Sequence, residues 1–535
     1  MAAKGVNLDA LIPREDLAIG EGLQSGAHGD PTIGYAHLGR GPNFFRESLR
    51  KPEFQRETTQ WSPAKIVDLV EAFLDRRLIP AVILWKAGNN NFVIDGAHRL
   101  SALLAWLHDD YGDGTKSKSL FGQAIDPEQQ AMADKTRALI EKKIGKYELF
   151  EASLSYPKVV DDKQKERIGN LTVSHFVAQW VPAATKEAAE DSFFIINANA
   201  TPLEPTEKKI LNSRGAGNSI AARAIAHGGA GYPYWKAFDE DRQAKIVEFG
   251  RDIYQLLYRP PLGQGTIDTL DVTVAGRGYS VLPFVFDLVN FANEAKVGDS
   301  SKPAAKNKTP CDQDGTETLR FLSAAFQTTS RITGKSPTSL GLHPVIYFYS
   351  RGGSFMPWAV LAWSKIIDGL FARGTVNSFC DVRADLEDFL ITHKATMTSI
   401  VHQYGSGHRS VAPLTRFWTF LLDSFLSGAS VERVRELWQE SADWAYLLKV
   451  EPPLRMPDES SKKRISRTTL TSTIWDASLP GAARCSICSA RLHRNSQTGD
   501  HILAIRDGGD ARPGNTGIAH PYCNSTYKDW KAKRD

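Results

Sequence analysis

The sequence predicts a mixed α/β domain, then an α-helical middle, then a small metal-braced module at the C-terminal end. Three observations carry that division. The runs "IPAVILW" and "NFVID" (79–85 and 91–95) are β-rich, and the second leads straight into an amphipathic helical pattern. Long segments such as "FMPWAVLAWSKIIDGLFARG" and "LTRFWTFLLDSFLSGASVERVRELWQ" then repeat apolar residues at helical spacing. Finally, three of the five cysteines crowd into the last tenth of the chain. The boundaries read as 1–225 for the α/β domain, 226–450 for the helical one, 451–480 for a linker and 481–535 for the module.

At 535 residues the chain exceeds one ordinary core. With 42% hydrophobic and 24% charged residues and a net charge of +4, it has the composition of a globular protein, not a disordered or fibrous one. The start lacks a basic segment followed by an apolar run. The most apolar later stretch, "PWAVLAWSKIIDGLF", is broken by Lys365 and Asp368. No membrane span is expected, and the cytoplasm is the expected location. Charge is unevenly placed: from Gly481 onward nine Lys and Arg face five Asp, an excess equal to that of the whole chain, which suits a polyanionic partner.

Along the first domain, Ser62 is a candidate N-cap and Pro63 suits the first helical position. Ile66, Val67, Leu69, Val70, Phe73 and Leu74 then form a buried face. The two β runs flank the turn "KAGNN". After them "FVIDGAHRL" passes from strand through Asp95-Gly96 into a helix whose inner face is Leu100, Leu103, Leu104 and Leu107. A helix N-terminus presents unpaired N–H groups and the favourable dipole end to an anion, so this turn is a candidate phosphate site. The stretch "TSRITGKS" ends like a phosphate-binding loop, but Thr329 stands where its first glycine is required, so it reads as a surface loop. "AKVGDSSKPAAKNKTPCDQDGTE" reads as an exposed loop, and "VEPPLRMPDESSKKRISR" as a linker that frees the C-terminal unit to move.

The C-terminal pattern is the most specific. Cys485 and Cys488 form one knuckle, His520 and Cys523 another, and together they can close a tetrahedral Cys3His zinc site. A unit this small has little core, whereas structural zinc supplies on the order of 10 kcal/mol. Between the knuckles stand Asp500-His501, Gly508-Gly509 and Asn515, and Asn524 follows the last cysteine. This order resembles the HNH endonucleases, a ββα-metal fold. The resemblance implies that Asp500 binds a catalytic Mg²⁺ or Mn²⁺, that His501 is the general base and that Asn515 braces the hairpin. Asn524 stands at the last H of the family name and would be the second metal ligand, giving an HNN variant. Lys528 lies four residues past Asn524 where three is commoner, and receives no role. The residue types suit phosphodiester hydrolysis. A histidine, with an ordinary pKa of about 6.5, can take a proton from water near neutral pH, and a carboxylate with an amide leaves open positions on a hard cation.

The N-terminal elements Gln55-Arg56, Trp61, "IPAVILW", "VIDGAHRL" and "FFIINANATPLEPTE" resemble, in that order and over roughly residues 45 to 215, the DGQQR-motif domains of the ParB/sulfiredoxin-like superfamily. The N-terminal half of GmrSD-type restriction enzymes is one example. That resemblance implies a bound nucleoside triphosphate (ATP, GTP or CTP) and often NTPase activity. Gln55, Arg56, Asp95, Gly96, His98, Arg99 and Asn197 fall at the matching positions. Ala97-His98 replaces the family's Gln-Gln, and Ala97 stands where sulfiredoxin has its nucleophilic cysteine, which excludes that chemistry. Together the resemblances imply a nucleotide-regulated HNH DNA endonuclease of the anti-phage, type IV-like restriction kind, acting on phage or modified DNA. A homodimer is one route to double-strand breaks. Two other readings stay open: a non-catalytic ParB-like DNA-binding regulator with a zinc-knuckle tail, and an RNA-cutting toxin. The tail offers only Tyr522, Tyr527 and Trp530 for base stacking.

Overall fold

A computed structural model describes, besides a few isolated positions, residues 5–15, 29–52, 61–121, 127–155, 161–183, 185–199, 213–229, 233–258, 272–276, 281–293, 310–448 and 481–534, with short gaps inside the last two. The chain divides into two compact units, one built mainly from Met1–Gly215 and the other mainly from Ala216 to the end. The proposed linker at 451–480 and most of the polar stretch that begins at Ala295 lie outside the described residues.

The first unit is α/β. Strands β1 (Arg14–Glu15), β2 (Thr32–Gly34), β3 (Leu49–Pro52), β4 (Val82–Ala87), β5 (Asn90–Asp95) and β6 (His175–Trp180) form one sheet in the order β1-β3-β5-β4-β6-β2. β4 and β5 are an antiparallel hairpin, while β3 on β5 and β6 on β4 are parallel. The hairpin turn is tighter than the sequence pattern indicates, because Lys86, Ala87 and Asn90 all pair within the ladder and Gly88 takes φ +57°. Helix α1 (Pro63–Leu74) starts as predicted, with Ser62 accepting from the Lys65 N–H and Pro63 at the first position. α1 and α2 (Ala97–His108) bury Ile66, Val70, Leu100, Leu103 and Leu104 with Val82, Leu84 and Val93 of the sheet. Trp85, Phe92 and Ile94 point to the opposite face, where they pack with Ala189 and Phe193 of the helix Lys186–Asn199. Alternating side chains thus feed two apolar layers, as the period of a strand requires.

The second unit is helical, with a short hairpin at its end. Helices α3 (Gly217–Ala226), α4 (Glu240–Tyr258), α5 (Val281–Ala292), α6 (Thr316–Ile332), α7 (Pro357–Arg373), α8 (Val376–Thr392), α9 (His408–Leu426) and α10 (Val431–Glu440) surround buried Trp363, Trp418, Phe389 and Trp438. β7 (Thr498–His501) and β8 (Thr516–Ala519) pair antiparallel, and a helical segment closes the chain.

The C-terminal module is not set free of these helices. Its Ser496 hydroxyl accepts from the Gly334 N–H at 2.7 Å, the Tyr522 N–H donates to Ser339 O, and the Ser525 hydroxyl donates to Pro337 O. The seat is therefore the segment after α6, "TGKSPTSL" (333–340), whose first four residues end the "TSRITGKS" that reads as a surface loop. Thr329 is buried inside α6, and Thr333 and Gly334 are buried beneath the module. Deeper in, Glu387 of α8 accepts at Oε1 from Arg383 (2.8 Å) and the Tyr347 hydroxyl (3.0 Å), and at Oε2 from the Arg491 N–H (2.6 Å). Arg383 also donates to the carbonyls of Leu340 and Gly341, so one buried ion pair ties the helix to both the seat and the module. Glu387→Ala would leave Arg383 buried without its counter-charge, a loss of about 3–5 kcal/mol. A lowered midpoint in urea unfolding, with earlier proteolysis of the module, checks it.

Candidate functional site

The four zinc candidates converge. Cys485, Cys488, His520 and Cys523 are all buried, with their ligand atoms within 4.8 Å of one another, so the cluster can hold a metal ion. The first knuckle is a tight turn in which the Ser489 N–H reaches back to Cys485 O and Ser489 takes φ +61°. His520 is oriented for ligation. Its Nε2 lies 3.0 Å from Arg491 O, which fixes the proton there, while Nδ1 faces the sulfurs of Cys488 (3.4 Å) and Cys523 (3.8 Å). The packed thiols contend for one charge. Hydrogen bonds from Cys488 and Cys523 draw the Cys485 thiol down, a hydrogen bond with Cys485 pushes Cys488 up, and Cys380 of α8 followed by Cys485 pushes Cys523 up. A divalent cation among them would remove that contention by binding all three as thiolates.

The four cluster residues come from either side of the hairpin, so a metal held there would pin both. Asp500 sits opposite Gly517 and His501 opposite Thr516, at the β7 end away from the cluster. The Asp500 side chain is nearly buried, whereas His501 is half-exposed. Asn524 donates its amide to Gly499 O (3.0 Å) and Thr498 Oγ1 (3.2 Å), which presses the start of the final helical segment onto β7 and leaves its carbonyl as the acceptor. Asn515 braces the loop between the strands. It accepts from the Leu503 N–H (2.7 Å) and donates to Leu503 O (2.9 Å) and Asp510 O (2.7 Å). Gly509 is required there, because a Cβ would lie 1.9 Å from Leu503 O. Gly508 beside it takes φ +92°.

Sequence reasoning missed Lys528. Its ammonium lies 2.8 Å from Asp500 Oδ1 and also donates to His501 O. The only signal was its shifted spacing. Cys523–Tyr527 form a π-helical turn ahead of the α-helix Lys528–Ala532, and that wider turn takes up one extra residue.

In the first unit, Gly96 caps α2 with φ +98°, and a Cβ there would lie 2.6 Å from Val82 Cγ1, so the junction needs glycine. Arg99 folds back to donate to Asp95 (2.6 Å) and Ala81 O (2.9 Å). His98 stacks on Trp61 at 5.6 Å, and burial, followed by the charge of Lys51, lowers its pKa to about 4, so the ring is neutral at pH 7. Gln55 reaches Ile94 O at 3.5 Å. Gln55 Oε1, His98 Nε2 and Arg99 Nε are buried and have no hydrogen-bond partner among the described residues. Arg56 lies outside the described residues; Asn197 is in the helix Lys186–Asn199, with its side chain outside them. A second group was not anticipated: Asp9 receives Arg14 (2.9 and 3.0 Å) and Lys51 (2.7 Å), the three side chains all nearly inaccessible, and Arg14 also donates to Gln55 O (2.6 Å). Burial opposes the charged form of Asp9, but the two cations outweigh it and hold the carboxyl well below the usual range.

A short hairpin and a helical turn flanked by a Cys3His cluster that can hold a metal ion are the arrangement of the C-terminal module. Residues 485–529 match the family model described as HNH endonuclease. Residues 42–214 match the one described as GmrSD restriction endonuclease, N-terminal domain. No curated protein and no solved structure matches the chain. The two domain matches support a DNA endonuclease acting in restriction. Among the described residues, no helix is long and apolar enough to cross a membrane.

Proposed function

We propose that this protein is a nucleotide-regulated HNH DNA endonuclease of anti-phage, type IV-like restriction, with Asp500, His501 and Asn524 as its reacting set. The observation that carries the reading is that Asp500 and His501 close β7 while Asn524, in the turn that follows the hairpin, is bonded to Gly499 of the same strand, with the Cys3His cluster beside them. Asp500 and the Asn524 carbonyl are hard oxygen donors and fit Mg²⁺ or Mn²⁺. Bound there, the ion would supply positive charge to the scissile phosphate and the leaving oxygen. His501, half-exposed beside that carboxylate, takes the proton of the attacking water. Asn515 keeps the loop that follows His501 from fraying.

In the first unit, the Gly96 turn and the buried unpaired atoms of Gln55, His98 and Arg99 support a nucleoside triphosphate site of the ParB/sulfiredoxin-like kind. Nucleotide bound there would bias the nuclease between active and silent states. Plasmid cleavage with Mg²⁺ or Mn²⁺, with and without each nucleoside triphosphate, tests the whole reading beside a His501→Ala control. Cleavage that ignores nucleotide removes the regulation; no cleavage of modified or unmodified DNA removes the nuclease. Arg99→Ala should weaken nucleotide binding by roughly 10- to 100-fold, the worth of one or two charge-assisted hydrogen bonds. Calorimetry with the purified variant measures it, and unchanged affinity would move the site elsewhere.

A further inference from the structure

We propose that Lys528 is a further positioning residue of the nuclease site, carried into register by the π-helical turn Cys523–Tyr527; this rests on the HNH reading above. Two anchors stand at the start of the turn: Cys523 belongs to the Cys3His cluster, and Asn524 is bonded to Gly499 O. A third stands at its end, since Tyr527 is buried and its hydroxyl donates to Asp381 of α8. With both ends fixed, one additional residue cannot be absorbed by rotating the helix. It is absorbed by widening a single turn from i→i+4 to i→i+5 bonding. Lys528 therefore keeps the direction that a regular helix would give a residue three beyond Asn524, and its ammonium lands on Asp500 Oδ1.

The contact does two things at once. Asp500 is almost wholly buried, and Lys528 supplies its counter-charge while occupying one carboxylate oxygen, Oδ1. The same ammonium donates to the His501 carbonyl, so carboxylate and general base are held by one group. Unlike Asn515, which braces the far loop, Lys528 fixes the two reacting residues relative to each other. A cation beside Asp500 opposes a second cation, so this is not a role in metal affinity.

Four proteins test it: wild type, Lys528→Gln, Lys528→Arg and a chain lacking Thr526, which is exposed. The readouts are kcat and KM on plasmid, Mn²⁺ affinity by calorimetry on zinc-loaded protein, and the unfolding midpoint. Lys528→Gln should lower kcat by about 10- to 100-fold, as loss of an outer-sphere partner does. KM should stay near wild type and Mn²⁺ affinity should hold or tighten. Lys528→Arg should recover part of kcat. Removal of Thr526 should let the turn relax to a regular α-helix that still delivers Lys528, with kcat within about threefold of wild type. Unchanged cleavage by Lys528→Gln overturns the proposal, as does a joint fall in kcat, Mn²⁺ affinity and unfolding midpoint, which marks a structural role. Loss of activity on removing Thr526 overturns the register argument. His501→Ala runs alongside: if it too cleaves normally, the HNH reading has failed and not this inference alone.

Discussion

Replacing His501 with alanine should lower the cleavage rate by about 10²- to 10⁴-fold, the range that a lost general base commands. Zinc content and folding should stay near wild type. His501 lies at the end of β7, half-exposed, and its imidazole is not part of the Cys485, Cys488, His520 and Cys523 cluster. The backbone pairing with Thr516 and the Lys528 bond to its carbonyl do not depend on the ring. Asp500 is a poorer probe. Its removal would strand the Lys528 ammonium in a part-buried site, so lost activity would mix chemistry with electrostatic damage. Single-turnover plasmid cleavage in Mn²⁺, with zinc measured on the same sample, checks the prediction. Partial rescue by added imidazole would assign the loss to the ring. Cleavage at the full rate would remove His501 from the chemistry and the HNH assignment with it.

What could be read from the sequence was local. The two knuckles flank one short hairpin, so their spacing in the chain announces the cluster they form, and Asn524, just past the second, lands on the first strand of that hairpin. The Ser62-Pro63 helix start and the β4–β5 hairpin are of the same kind. Groups joined by tertiary contact were not legible. Glu387 meets the Arg491 N–H across 104 positions, and no window of sequence links them. Lys51 joins Asp9 and Arg14 from 42 positions beyond Asp9, and the three match no motif. "TGKS" looked like a loop because its residues are polar and turn-forming, yet the covering module buries part of it. Lys528 was obscured for a different reason: residue offsets assume 3.6 residues per turn, and one π-helical turn breaks that count.

Stripping zinc should cost the protein more than any single substitution at the hairpin, and should do so in one part of the chain. The interface with the helices rests on bonds such as Ser496 to Gly334, Tyr522 to Ser339 and Arg491 to Glu387. Each contributes only about 1 kcal/mol net, somewhat more where a charge takes part. A structural Cys3His site contributes on the order of 10 kcal/mol, because its ligands are scattered in the unfolded chain. The seat therefore cannot hold the module once the cluster opens. A high-affinity chelator, or Cys488→Ser, should release one zinc per chain and expose residues 485–527 to rapid hydrogen exchange. Helices α7 to α9 should keep their protection, since Trp363 packs on Trp418 and Phe389 on Phe425 and Trp438, all of them outside the module. Cleavage should vanish with the zinc and return when zinc is restored, while Mg²⁺ or Mn²⁺ alone should not rescue it, because the hairpin that carries Asp500 and His501 is no longer formed. Protection of 485–527 that survives complete zinc removal would mean that the helical seat, not the metal, holds the site together. In that case Glu387 and Arg383 would become the residues on which the nuclease depends.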